Sequence, residues 1–118
     1  MKVIIAGGRD FTDYGLLREK LDYLLSNQTD IQIICGEARG ADTLGKRYAN
    51  EHGYAVLSFP ADWSKYGKSA GYRRNKEMAE EADALVAFWD GESRGTSSMI
   101  SIMRKMNKPI RIIRYVKD

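Results

Sequence analysis

The chain holds one cysteine, Cys35, and one histidine, His52. A lone cysteine excludes a disulfide within the chain, and a reducing, cytoplasmic setting is the expectation. The two residues together are too few for a conventional structural zinc site, so neither a metal nor a cofactor is expected. No serine or cysteine motif of a catalytic triad accompanies His52, and catalytic residues stay unassigned. No apolar run is long enough to cross a bilayer, which argues against a membrane partner. The stretch Val3 to Ala6 is too short for a leader and ends in a glycine turn, so it reads as a strand. Repeats, low-complexity tracts and linkers are also lacking. The 118 residues suit one domain over positions 1–118. The formal charge of +3 permits a nucleotide or nucleic-acid ligand but demands neither.

What is present is an alternation of short apolar runs with helical spacings. Val3 to Ala6, Ile31 to Cys35, Tyr54 to Phe59, Ala84 to Phe88 and Pro109 to Val116 read as five strands. Leu16, Leu17, Leu21, Leu24 and Leu25 recur at helical spacing, with Thr12 or Asp13 as N-cap. Ala41 to Ala49, Arg73 to Glu81 and Gly95 to Met106 predict three more helices, and Pro60 to Gly71 a long loop. Such alternation implies an α/β fold, a single doubly wound Rossmann-like domain with a five-stranded parallel sheet. Right-handed crossovers give the expected strand order 3-2-1-4-5. The topological switch then lies between the first and fourth strands, and ligands bind beyond the carboxyl ends of strands at such a switch.

Three glycine-bearing turns follow strands. Gly7-Gly8-Arg9 offers positive φ and close backbone approach, with a guanidinium able to fork onto a phosphate or pair with Asp10 or Asp42. Gly36-Glu37-Ala38-Arg39-Gly40-Ala41-Asp42 opens a helix. Asp42 caps it or reads a ribose hydroxyl, and Glu37 accepts from ribose or base or pairs with Arg39. Asp90-Gly91-Glu92-Ser93-Arg94-Gly95-Thr96-Ser97-Ser98 joins a strand to a helix whose first amides and hydroxyls suit an anion. Asp90 and Glu92 sit awkwardly beside an anion and would hold Arg94 or Arg9, or face a ribose. Lys65, Lys68, Arg73, Arg74 and Lys76 make a basic stretch, a solvated face or a rim around an anion site. Trp63, Tyr66, Tyr72 and Trp89 offer rings for a base or for packing.

These motifs resemble the SLOG superfamily, named for DNA-processing protein A and the cytokinin-activating enzyme "lonely guy". Gly7 to Phe11, Gly36 to Asp42, Asp62-Trp63, Gly71-Tyr72-Arg73-Arg74-Asn75 and Gly91 to Thr96 carry a resemblance to its small YspA or cpYpsA-related group. The resemblance implies a Rossmann-like fold that binds nucleotides or nucleotide-derived ligands, and a homodimer. Apolar residues such as Met78 and Met103 would serve either that interface or the core. Lonely-guy enzymes are phosphoribohydrolases with an Arg-Lys pair followed by Pro-Gly-Gly-x-Gly-Thr-x-x-Glu. Arg73-Arg74 and Gly95-Thr96 are similar, but Met99 stands at the glutamate position and cannot ionise. An N-glycosidic hydrolase needs a carboxylate, which Glu37, Asp90 or Glu92 would have to supply. The DNA-processing branch binds single-stranded DNA and resembles this chain at Gly7 to Arg9 and Gly36 to Asp42.

The expectation is therefore binding of a small purine nucleotide or ADP-ribose-like ligand, by a sensor or sequestering module. Gly7, Gly8 and the Gly95, Thr96 and Ser97 backbone would cradle phosphate. Arg9, Arg39 and Arg74 would neutralise it, Asn75 would bridge ligand and backbone, and in a hydrolase the Arg73-Arg74 pair would orient the phosphate. Gly36, Gly40, Asp90 and Gly91 complete the expected ligand contacts. Nucleoside monophosphate hydrolysis and single-stranded DNA binding are the alternatives.

Overall fold

The computed structural model describes residues 1–116. Five strands, β1 (Lys2–Gly7), β2 (Gln32–Cys35), β3 (Ala55–Ser58), β4 (Ala84–Trp89) and β5 (Ile110–Arg114), form one sheet. The order is β3-β2-β1-β4-β5 and every pairing is parallel, as the alternation predicts. Central β1 pairs Val3 with Ile33 on one side and with Ala84 on the other.

The pleat divides the core. Val3, Ile5, Ile33, Val86 and Phe88 face one way, toward Leu17 and Leu21 of α1 (Tyr14–Leu24) and Tyr48 of α2 (Ala41–His52). Ile4, Ala6, Ile34, Leu85 and Ala87 face the other. They meet Met78 of α4 (Ala70–Glu81) and Met99 and Met103 of α5 (Arg94–Lys105). Burying each leucine or methionine contributes about 1.5–3 kcal/mol. Met78 and Met103 are thus core, with Met103 wholly buried, and a homodimer would need another surface. Asp13, not Thr12, caps α1 by accepting from the Leu16 N–H.

The 60–71 segment differs from the predicted loop. It contains a single-turn helix, α3 (Trp63–Tyr66), a 3-10 turn over 67–69 and the start of α4 at Ala70. Asp62 caps α3 through the Lys65 N–H, and Gly67 ends it at φ +53°. β5 also stops at Arg114, short of the predicted end at Val116.

Candidate functional site

The carboxyl ends of β1 and β4 lie side by side, with Gly7 opposite Phe88. A crevice of about 500 Å³ opens there. Ala6, Met78 and Met99 give it an apolar floor, Arg9, Arg74 and Asn75 form walls, and the first turn of α5 forms a rim. Sheet order alone puts these residues together, because the chain leaves β1 toward one face and β4 toward the other.

Asp90 shapes the loop before α5. Its Oδ1 accepts from the Glu92 and Ser93 N–H groups, both at 2.9 Å. That backbone role was not legible beside the expected contacts to arginine or ribose. Gly91 has φ +90°, and the Arg114 guanidinium occupies the space a side chain would need. Ser93 precedes α5 without making a side-chain cap bond, and its hydroxyl lies 3.2 Å from that of Thr96. The Gly95 and Thr96 amides belong to the first turn, where no intrahelical acceptor exists. The Ser97 N–H donates to Ser93 O at 3.1 Å, so it belongs to the helix ladder rather than the expected phosphate cradle.

Asp42 and Arg74 form the electrostatic centre. Asp42 lies in the first turn of α2, and its Oδ2 accepts from the Gly36 and Ala38 N–H groups at 3.2 Å each. It therefore braces its own turn from inside. Burial pushes its carboxyl up, while those amides and the Arg74 charge pull it down less strongly. Half-buried Arg74 donates to Gly36 O and, through Nε, to Asn75 Oδ1 at 3.0 Å. Buried Asn75 in turn donates to Gly95 O at 3.3 Å, tying α4 to the start of α5. Asn75 thus fixes both the guanidinium and the rim that would meet an anion. Desolvation, the largest effect on Arg74, disfavours its charge, Asp42 favours it, and Arg9 opposes it.

A second cavity of about 430 Å³ adjoins the first and shares Arg9, Ala38 and Arg74 with it. Gly36, Glu37, Arg39, Pro60, Ala61 and Trp63 complete it. Glu37 takes φ +63° and pairs with Lys46 at 2.8 Å, not with Arg39. The Lys46 hydrogen bond, then Ser58, holds its carboxyl below the ordinary range.

Four expected residues lie outside both cavities: Gly40, Arg73, Gly91 and Ser97. Arg73 stacks on Tyr66, 4.4 Å from the ring centre. Gly40, at φ +73°, packs against the backbone of Gly8 and Arg9 and seats one turn on the other. Gly7 and Gly8 do not take the expected positive φ. A Cβ on Gly7 would lie 2.7 Å from that of Ala41, so this glycine lets α2 approach the sheet. The Gly8 N–H donates to Phe88 O, and the Tyr115–Asp10 hydrogen bond closes over Gly8. Asp10, Ala38, Ser93, Arg94, Met78 and Met99 also line the crevice but were not among the expected contacts. Helical spacing could have found two of them. Met78 is four residues after Arg74, and Met99 is three after Thr96.

Residues 1–66 match the YspA, cpYpsA-related SLOG family, YAcAr. The chain belongs to that family. No curated protein sequence matches it. Its fold is similar to that of DNA processing protein A (DprA) from Streptococcus pneumoniae, with 16% identity and a TM-score of 0.76. That likeness covers 97% of this chain and 50% of the other. The Helicobacter pylori DprA structure, described by its single-stranded DNA binding mode, has 20% identity and a TM-score of 0.68. It matches over 95% of this YAcAr chain and 64% of its own. A protein designated TM1055 has 19% identity and a TM-score of 0.67, over 92% and 71% of the two chains. This YAcAr chain thus spans about half to two thirds of the two DNA processing proteins.

Proposed function

We propose that this YAcAr protein binds a small nucleotide or nucleotide-derived ligand at the carboxyl edge of its sheet, as a sensor or a sequestering module. One observation carries the reading: Arg9, Arg74 and the first turn of α5 converge on a single crevice at the β1/β4 switch. Arginine forks and first-turn amides are suited to phosphate oxygens. The apolar floor of Met78, Met99 and Ala6 excludes water beneath them and strengthens those contacts.

Hydrolysis of an N-glycosidic bond is less well supported. Met99 forms part of the floor at the position where lonely-guy enzymes carry glutamate. Glu37 is held by Lys46, Asp42 by two backbone amides, and Asp90 turns its loop. These three carboxylates serve the scaffold, and Glu92, the remaining candidate, lines neither cavity.

Single-stranded DNA binding draws support from the DprA likeness and from exposed Lys65, Lys68, Arg73 and Lys76. It would make affinity fall steeply with salt, in proportion to the phosphates contacted.

Thermal unfolding against nucleoside mono- and diphosphates, NAD, ADP-ribose, cyclic nucleotides and a short single-stranded oligonucleotide tests the proposal. A ligand at one hundred times its Kd adds about 2.7 kcal/mol, which raises the midpoint by about 10 °C in a domain of this size. A shift confined to small nucleotides is expected. A shift with the oligonucleotide alone would move the function to DNA.

A further inference from the structure

We infer that the second cavity is a base-binding subsite in which Trp63 is the stacking platform, joined to the phosphate crevice across Arg9 and Arg74. This rests on the nucleotide reading above and assigns the ligand's two ends to the two cavities.

Three observations carry it. The two cavities share Arg9, Ala38 and Arg74, so a ligand reaching from one to the other must pass two guanidinium groups. That waist suits a phosphate, and only the parts on either side remain to be placed. The second cavity then presents Trp63, Pro60 and Ala61 as apolar wall, with Arg39 and Glu37 beside them.

Trp63 is also poorly explained by packing. It is 56% exposed and opens a four-residue helix that buries no residue at all. Leaving so large a ring in water forgoes the burial that normally retains tryptophan in a fold. The other rim aromatics have identifiable jobs. Tyr66 is clamped by Arg73 and Lys65, and Trp89 donates to Ser93 O at 3.1 Å. Tyr72, equally exposed, lines neither cavity. Trp63 alone among them combines exposure with a cavity wall. Its ring edge rests above Gly71 of α4, the helix that also carries Arg74. The stacking surface therefore lies against the helix that carries the phosphate anchor. A flat π-face in a polar-rimmed cavity is chemistry suited to a nucleobase.

Calorimetric titration with ADP and with ribose 5-phosphate, on wild type, Trp63→Ala and Trp63→Phe, tests the assignment. Wild type should bind ADP more tightly than ribose 5-phosphate. Trp63→Ala should weaken ADP about tenfold, within the range of base–aromatic stacking, and leave ribose 5-phosphate unchanged. Trp63→Phe should restore most of the ADP affinity. The exposed position means that neither variant should alter the unliganded thermal midpoint appreciably. Equal weakening of both ligands by Trp63→Ala would overturn the subsite and leave Trp63 a structural role. Unchanged ADP binding in Trp63→Ala would overturn it too, while leaving the nucleotide reading intact. Failure of both ligands to bind wild type would instead defeat that reading, and the subsite with it. Tryptophan-dependent binding of an oligonucleotide, with ADP not bound, would overturn the small-ligand assignment in favour of single-stranded DNA.

Discussion

Asp42 carries its carboxyl where water barely reaches, at 8% exposure, with two amides on one oxygen. Burial raises its pKa in the folded chain above the unfolded value of about 3.9. Between those two values the folded state binds more protons than the unfolded one. Stability therefore falls as pH rises through that window and levels off above the folded pKa. Asp42→Asn should remove this fall, and urea midpoints of both proteins from pH 4 to 7 would show it as a difference in slope. An unchanged slope in the variant would place the titration elsewhere. The capping or ribose-reading roles expected of Asp42 came from its place near a helix start. Its contacts to Gly36 and Ala38 depend on a turn whose path sequence spacing does not reveal. The same holds for Glu37 and Lys46, nine residues apart and paired across that turn. Arg74 was legible as a cation, but the Asn75 clasp that aims it was not.

Two glycines at helix starts separate structural from functional demands at the scale of the element. Gly40 has φ +73°, and a Cβ there would lie 2.7 Å from the Arg9 carbonyl. Gly40→Ala combines an unfavourable conformation with a backbone clash and should cost about 3 kcal/mol or more. Gly95 meets nothing within 4 Å and sits in the first turn of α5. Gly95→Ala should fold normally and gain up to about 1 kcal/mol from helix propensity. Chemical denaturation of both variants checks the contrast, and similar effects at the two sites would contradict it. The sheet and its four long helices were legible because each strand is a short apolar run and each helix repeats at its own period. α3 was not, because a single turn offers no period to read. Asp62 as its cap and Gly67 as its stop make sense only once the turn is known.

For the molecule as a whole, sheet order places the crevice. β1 and β4 are neighbours although α1, β2, α2, β3, α3 and α4 lie between them in the chain. Parallel crossovers on opposite faces leave the two carboxyl ends open together, so the site follows from topology more than from any one motif. A small-ligand complex in that crevice should lose little affinity between 50 and 200 mM salt. A protein making 6–10 phosphate contacts to DNA would lose about 10³–10⁵-fold over the same range. Titration at the two salt concentrations distinguishes them. The most direct test of the crevice itself is calorimetry of wild type and Arg9→Ala with the nucleotide that most raises the thermal midpoint. Arg9 is exposed, so the variant's own stability should stay within about 0.5 kcal/mol of wild type. Loss of a charged hydrogen-bond donor to phosphate should weaken binding by about 10- to 100-fold. Equal affinity in the two proteins would contradict the crevice as the nucleotide site.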